Sequence, residues 1–122
     1  MRHGFVYIMS NVCMPDIYKV GFTRGSPAKR AAELSAETSA PAPFEVVCYA
    51  EYDDAQRQEA EIHHKLDQFR VTGRREFFRG PLARIVDLVL DRDRAISMCE
   101  MDVEARLYFE RKVPLKLVGG FA

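Results

Sequence analysis

Position 59 holds the residue least suited to its surroundings. Across residues 54–70, Ala55, Ile62, Leu66 and Phe69 recur in steps of three and four, the spacing of a buried helical stripe. The same stripe passes through Glu59, and His63 lies one turn further on. Glu61, His64, Lys65 and Gln68 fall on the outward side. An inward carboxylate is costly unless a partner offsets its desolvation. Two arrangements do so: an ion pair with an arginine at the core edge, or a divalent cation at a cleft. Mg²⁺ suits the second, because it is commonly held by one or two carboxylates together with waters and phosphate oxygens.

Arg30 poses the same alternative. It shares a helical face with Glu33, Leu34 and Glu37, so it either forms an i,i+3 pair with Glu33 or serves as a fixed cation for a phosphate. Near the start, FVYIM and IYKVGF each alternate as strands. Tyr7 shares its face with Phe5 and Met9, and Lys19 shares its face with Ile17 and Gly21. The stretch RVTGRREFFR carries Arg70, Arg74, Arg75 and Arg79 against Glu76, which reads as a solvated loop or as a phosphate-contacting patch.

These side chains need elements to hold them. Strands are expected at 5–9 and 17–22, joined by the turn-forming SNVCMPD into an antiparallel hairpin. Ser26 followed by Pro27 opens a helix running to about residue 38. A third strand covers 44–52, and Asp53 and Asp54 favour the start of a helix over 54–70, which Gly73 breaks. A short extended piece is expected at 75–79, a helix with a broad apolar face at 82–90, and a last helix at 102–112 stopped by Pro114. The tail 116–122 is an added strand or a loose end. The expected class is α/β: a small three-stranded antiparallel sheet flanked by helices, with extra C-terminal helices. One domain is expected over 1–122, with its core at about 4–80 and a helical extension at 81–122.

Eighteen basic and eighteen acidic residues cancel, which counts against a protein that coats nucleic acid through bulk charge and leaves room for a local basic surface. The three cysteines are widely spaced, and neither CxxC nor HxxxH spacing accompanies them, so neither a disulfide framework nor a zinc site is expected. No stretch is long and apolar enough to span a membrane, and no leader pattern opens the chain. A cytoplasmic protein is the expectation.

Taken in order, the segments VYIMSN, YKVGFT, PAKRAAEL, PFEVV and EAEIHHKLDQFRVTGRREFFR resemble the GIY-YIG nuclease superfamily, in particular its phage and bacterial branch with a KIG-type second triplet. The resemblance covers about residues 4–80. It implies a three-stranded antiparallel sheet with packed helices and metal-dependent cleavage of DNA. By position, Phe5-Val6-Tyr7 matches the first triplet, making Tyr7 its functional tyrosine. Lys19-Val20-Gly21 matches the second triplet, Arg30 the helix arginine, Glu59 the metal-binding glutamate, and His63 a histidine typical of the branch. Two departures stand out: the second triplet carries lysine rather than tyrosine, and a late asparagine is missing.

The resemblance implies Mg²⁺, or Mn²⁺, at Glu59, with Arg30 binding the transition-state phosphate and either Tyr7 or Lys19 as the base. His63 is expected as a neighbouring proton carrier or a structural group. Gly21 is expected to leave room for a substrate backbone. Arg24, Lys29, Arg70, Arg74, Arg75 and Arg79 are the candidate DNA contacts. DNA is the expected partner, with self-association through the C-terminal segment a further expectation, and neither a membrane nor a small-molecule cofactor is expected. The competing class is a noncatalytic nucleic-acid-binding or protein-interaction module on the same fold.

Overall fold

The computed structural model describes residues 2–37 and 42–100. Strand β1 (Gly4–Asn11) and strand β2 (Ile17–Thr23) form the expected antiparallel hairpin, with Tyr7 opposite Gly21 and Met9 opposite Lys19. Its turn is fixed by Asn11, which is buried. The Asn11 side-chain oxygen accepts the Cys13 N–H (3.0 Å), and its amide donates to the Ala42 carbonyl (2.7 Å), tying the turn to the next strand's approach.

Helix α1 (Pro27–Ser35) starts where the Ser26 hydroxyl accepts the Lys29 N–H at 3.3 Å and Pro27 supplies a preset φ. Strand β3 (Phe44–Tyr52) pairs with the free side of β1. Ile8 pairs with Cys48 but Met9 with Val46, so Val47 is a bulged extra residue, and it is fully buried. Helix α2 (Ala55–Lys65) is capped by Asp54, which accepts the Arg57 N–H, and its last turn carries His63, His64 and Lys65 at the negative end of the helix dipole. A 3₁₀ turn, Asp67–Phe69, follows after Leu66.

Strand β4 (Phe77–Arg79), helix α3 (Leu82–Val89) and strand β5 (Ser97–Glu100) complete the described elements. The sheet therefore has five strands in the order β4-β2-β1-β3-β5, every neighbouring pair antiparallel. This corrects the expected three-stranded sheet, although the class remains α/β. Both additions are edge strands whose local signal is weak. FFR is too short to show a period of two, and SMCE holds no β-branched residue and no alternation. Pairing with β2 and β3 makes them strands. Of the expected C-terminal helices, α3 falls among the described residues, and 102–112 lies outside them, as does the tail.

The elements form three layers. On one face of the sheet, α2 and α3 close over Val6, Ile8, Tyr18, Val20, Cys48, Ala50 and Phe78, using Ile62, Leu66, Leu82, Ile85 and Val89. On the other, α1 lays Ala31 and Leu34 against Tyr7 and Met9, with Phe44, Val46 and Tyr49 beside them. Burial of these side chains at roughly 25 cal/mol per Å² is the main force holding the layers together. No helix among the described residues is long and apolar enough to cross a membrane.

Candidate active site

Strand β4 covers only part of β2. Their register runs from Ile17 to Lys19, and the Val20 N–H still reaches the Glu76 carbonyl at 2.9 Å. Past that point β2 is an open edge with backbone groups to satisfy. Helix α2 supplies the partners from two side chains one turn apart. His63 Nε2–H donates to the Val20 carbonyl (2.7 Å), and the Glu59 carboxylate accepts the Phe22 N–H. A carbonyl only accepts, so this bond places the His63 proton on Nε2.

A cavity of about 580 Å³ opens at this edge, between the sheet, α1 and α2. Tyr7, Arg24, Arg30, Glu33, Glu59, His63, Arg70, Arg75 and Glu76 bring their polar groups to its wall. Of the candidate site residues, Tyr7, Arg30, Glu59 and His63 are thus brought together, with Arg24, Arg70 and Arg75 from the candidate DNA contacts. Lys29, Arg74 and Arg79 stand outside this lining; Arg74 lies over the Phe77 ring. Lys19 stands apart from the wall as well. It is nearly buried, its Nζ is 3.0 Å from Glu76 Oε1, and it rests against the Phe77 ring.

Among the described residues no arginine lies within ion-pair distance of Glu59. His63 Nε2 stands 3.9 Å from Glu59 Oε2. Burial first, and the negative charge of Glu76 second, push its carboxyl up to about 7, against the opposing pull of Lys19, the Phe22 N–H and Arg75. His63 moves the other way: burial lowers it below the usual imidazole range, so it is neutral at neutral pH. Its neutral ring serves first as a backbone donor.

Tyr7 lies almost fully buried beneath α1, and its phenol is pushed up to about 12 by burial and by Glu76, although a hydrogen bond from Arg30 favours the ionised form. It is a neutral phenol at neutral pH. Arg30 takes both roles open to it: Nη1 pairs with Glu33 at 3.3 Å while the guanidinium also bonds Tyr7. Arg70 donates to the His63 carbonyl (3.3 Å) and lies over the Phe78 ring, yet its Nε is buried without a hydrogen-bond partner.

Gly21 has a more specific role than leaving room for a substrate. A Cβ there would stand 2.5 Å from the Tyr7 hydroxyl and 2.9 Å from Glu76 Oε1. The missing side chain is the seat of the phenol. The same geometry exposes the residue that sequence reasoning missed, since Glu76 counted only as the lone acid in an arginine-rich stretch. It reaches the site through β4, which meets β2 across 57 positions of chain. The signal available was its place directly before the apolar pair Phe77-Phe78.

The arrangement is an arginine-lined hollow with a buried phenol on its floor and a desolvated acid on its wall. A match to the T5orf172 domain covers residues 4–92, from β1 through α3. The chain belongs to the T5orf172 domain family. All of the cavity's lining residues lie inside the matched T5orf172 segment. No curated protein and no solved structure matched the chain.

Proposed function

We propose that this T5orf172 domain is a metal-dependent endonuclease that hydrolyses DNA phosphodiester bonds by a GIY-YIG-type mechanism. The observation that carries the proposal is a desolvated glutamate and a buried phenol facing one hollow lined by four arginines, Arg24, Arg30, Arg70 and Arg75. Family membership supports a nucleic-acid-related role.

The donor set fits a hard divalent cation bound jointly with substrate. Among the described residues no group of three or more histidines, cysteines or acids is placed to hold a metal alone. Glu59 would hold Mg²⁺ or Mn²⁺ with waters and phosphate oxygens completing the shell. When bound, such an ion neutralises charge on a nonbridging phosphate oxygen and on the leaving oxygen.

The protein's own groups do the rest. Arg30, fixed by Glu33 and Tyr7, binds the phosphate and stabilises charge that grows as phosphorus is attacked. Tyr7, as a neutral phenol, orients the attacking water. His63 holds the β2 edge open and in register beside Glu59. Arg70, Arg24 and Arg75 line the same hollow and hold flanking phosphates.

The test is plasmid DNA incubated with Mg²⁺ and the wild type, Glu59→Ala or Arg30→Ala. Each loss should lower the rate on the order of 10²–10³-fold, and EDTA should stop cutting by the wild type. Folded variants that cut as fast as wild type would contradict the assignment. Salt-sensitive DNA binding with no strand breaks under any divalent metal would leave a noncatalytic binding module.

A further inference from the structure

The Lys19–Glu76 pair is oriented with its anion toward the cavity and its cation away from it. Lys19 approaches from β2, is 7% exposed and lies behind the wall, whereas Glu76 is part of the wall and its side chain is 43% exposed. A water in the hollow therefore meets the carboxylate first. Among the described residues the carboxylate takes its side-chain hydrogen bond from Lys19 Nζ, at 3.0 Å through Oε1. Oε1 and the Tyr7 hydroxyl converge over Gly21, at 2.9 Å and 2.5 Å from the point where a Cβ would stand. The groups whose charge Glu76 meets come from three elements: Tyr7 on β1, Lys19 on β2, and Glu59 and His63 on α2.

We propose that Glu76 is a catalytic residue, the proton acceptor for the attacking water, and that Lys19 is the positioning residue that holds it aimed at the hollow. The proposal rests on the phosphodiesterase reading. In the step, a water O–H bond breaks and its proton passes to the Glu76 carboxylate. The water oxygen forms its bond to phosphorus, and the bond from phosphorus to the sugar oxygen breaks. The leaving oxygen takes a proton from solvent, and Glu76 returns its own to bulk water. Tyr7 cannot serve in this role while neutral; it holds the water next to the carboxylate. Lys19 is screened from the water by the carboxylate it supports.

The experiment compares wild type, Glu76→Gln and Glu76→Ala in single-turnover cleavage with Mg²⁺, alongside DNA affinity, Mn²⁺ affinity by paramagnetic resonance, and thermal melting. Glu76→Gln keeps an oxygen for Lys19 while removing the charge and the proton acceptor, so it is the variant that keeps the fold. The expected result is a rate loss of about 10²–10⁴-fold in both variants, with DNA and Mn²⁺ affinities held or raised, because losing the Glu76 charge relieves repulsion of phosphate and favours an ionised Glu59. Added formate should partly restore Glu76→Ala, where a small carboxylate has room, and leave Glu76→Gln unchanged.

Wild-type cutting by Glu76→Gln, or no formate rescue in a folded Glu76→Ala, overturns the role while leaving the endonuclease standing. Mn²⁺ affinity falling in step with rate overturns it too, in favour of a metal ligand. A wild type that never cuts removes the endonuclease and this role together. One arm needs no activity: the Tyr7 phenol, at about 12, should titrate lower in Glu76→Gln, and an unmoved phenol overturns the juxtaposition of the two groups.

Discussion

Glu59 stands at odds with its position because the fold prefers it protonated while the proposed chemistry needs it ionised. Its carboxyl titrates near 7 in the folded protein against an ordinary 4.5. Below about 4.5 the group is protonated in both states and costs nothing. As pH rises from there to about 7 the unfolded chain loses the proton first, so stability falls, and above 7 the full penalty remains. Glu59→Gln keeps an acceptor for the Phe22 N–H and has no such penalty. It should melt higher than wild type at pH 8, by on the order of 1–2 kcal/mol after solvent screening, and equally at pH 4, while cutting at least about 10²-fold more slowly. Calorimetry at both pH values checks the sign; a variant less stable than wild type at pH 8 contradicts it. In the free protein, metal affinity should rise with pH through about 7, as the carboxyl ionises.

At this scale the sequence revealed Glu59 readily, since a period of three and four turns one acid into an exception. It could not reveal what surrounds it. Alternation along β2 put Lys19 on the face of Tyr7, which the hairpin register bears out. That Lys19 is covered, and that Glu76 covers it, follows from β4 pairing across 57 positions, and nothing within either segment announces the meeting.

Two elements carry predictions of their own. The hairpin depends on Gly21, where any Cβ meets the phenol ring and the Glu76 carboxylate. Gly21→Ala should destabilise by roughly 1–3 kcal/mol and lower cleavage with it, because Tyr7 cannot stay seated. Melting and cleavage rates on the same preparation check this, and unchanged values in both would show that the phenol has room to shift. Far from the site, Tyr52 on β3 donates its buried hydroxyl to the Val89 carbonyl and accepts the Asp91 N–H at 3.1 Å, locking the end of α3 to the sheet. Tyr52→Phe strands both groups and should cost about 1–3 kcal/mol with cleavage unchanged below the melting temperature. The hairpin, α1, β3 and the start of α2 were all legible from caps and periods. The extended piece at 75–79 was legible and contains β4, but its place in the sheet was not, and β5 was not expected at all, because an edge strand of three or four residues owes its pairing to a neighbour rather than to its own residues.

For the whole molecule the charges cancel, so DNA affinity has to come from where the cations sit. Arg24, Arg30, Arg70 and Arg75 line one hollow, against Glu33, Glu59 and Glu76. Affinity should fall as salt rises, and Arg75→Ala should flatten the logarithmic salt slope by about 1; an identical slope would place the DNA elsewhere. The acids in the same hollow weaken DNA binding in the metal-free protein, so a divalent cation should tighten it. The measurement closest to the central claim is a Mn²⁺ soak of crystals of the protein with a DNA phosphate bound, read by anomalous scattering. Manganese density at the Glu59 carboxylate, facing the Arg30 side of the cavity, is the predicted result. Crystals holding the phosphate with no manganese at Glu59, or with manganese bound only elsewhere, would contradict it.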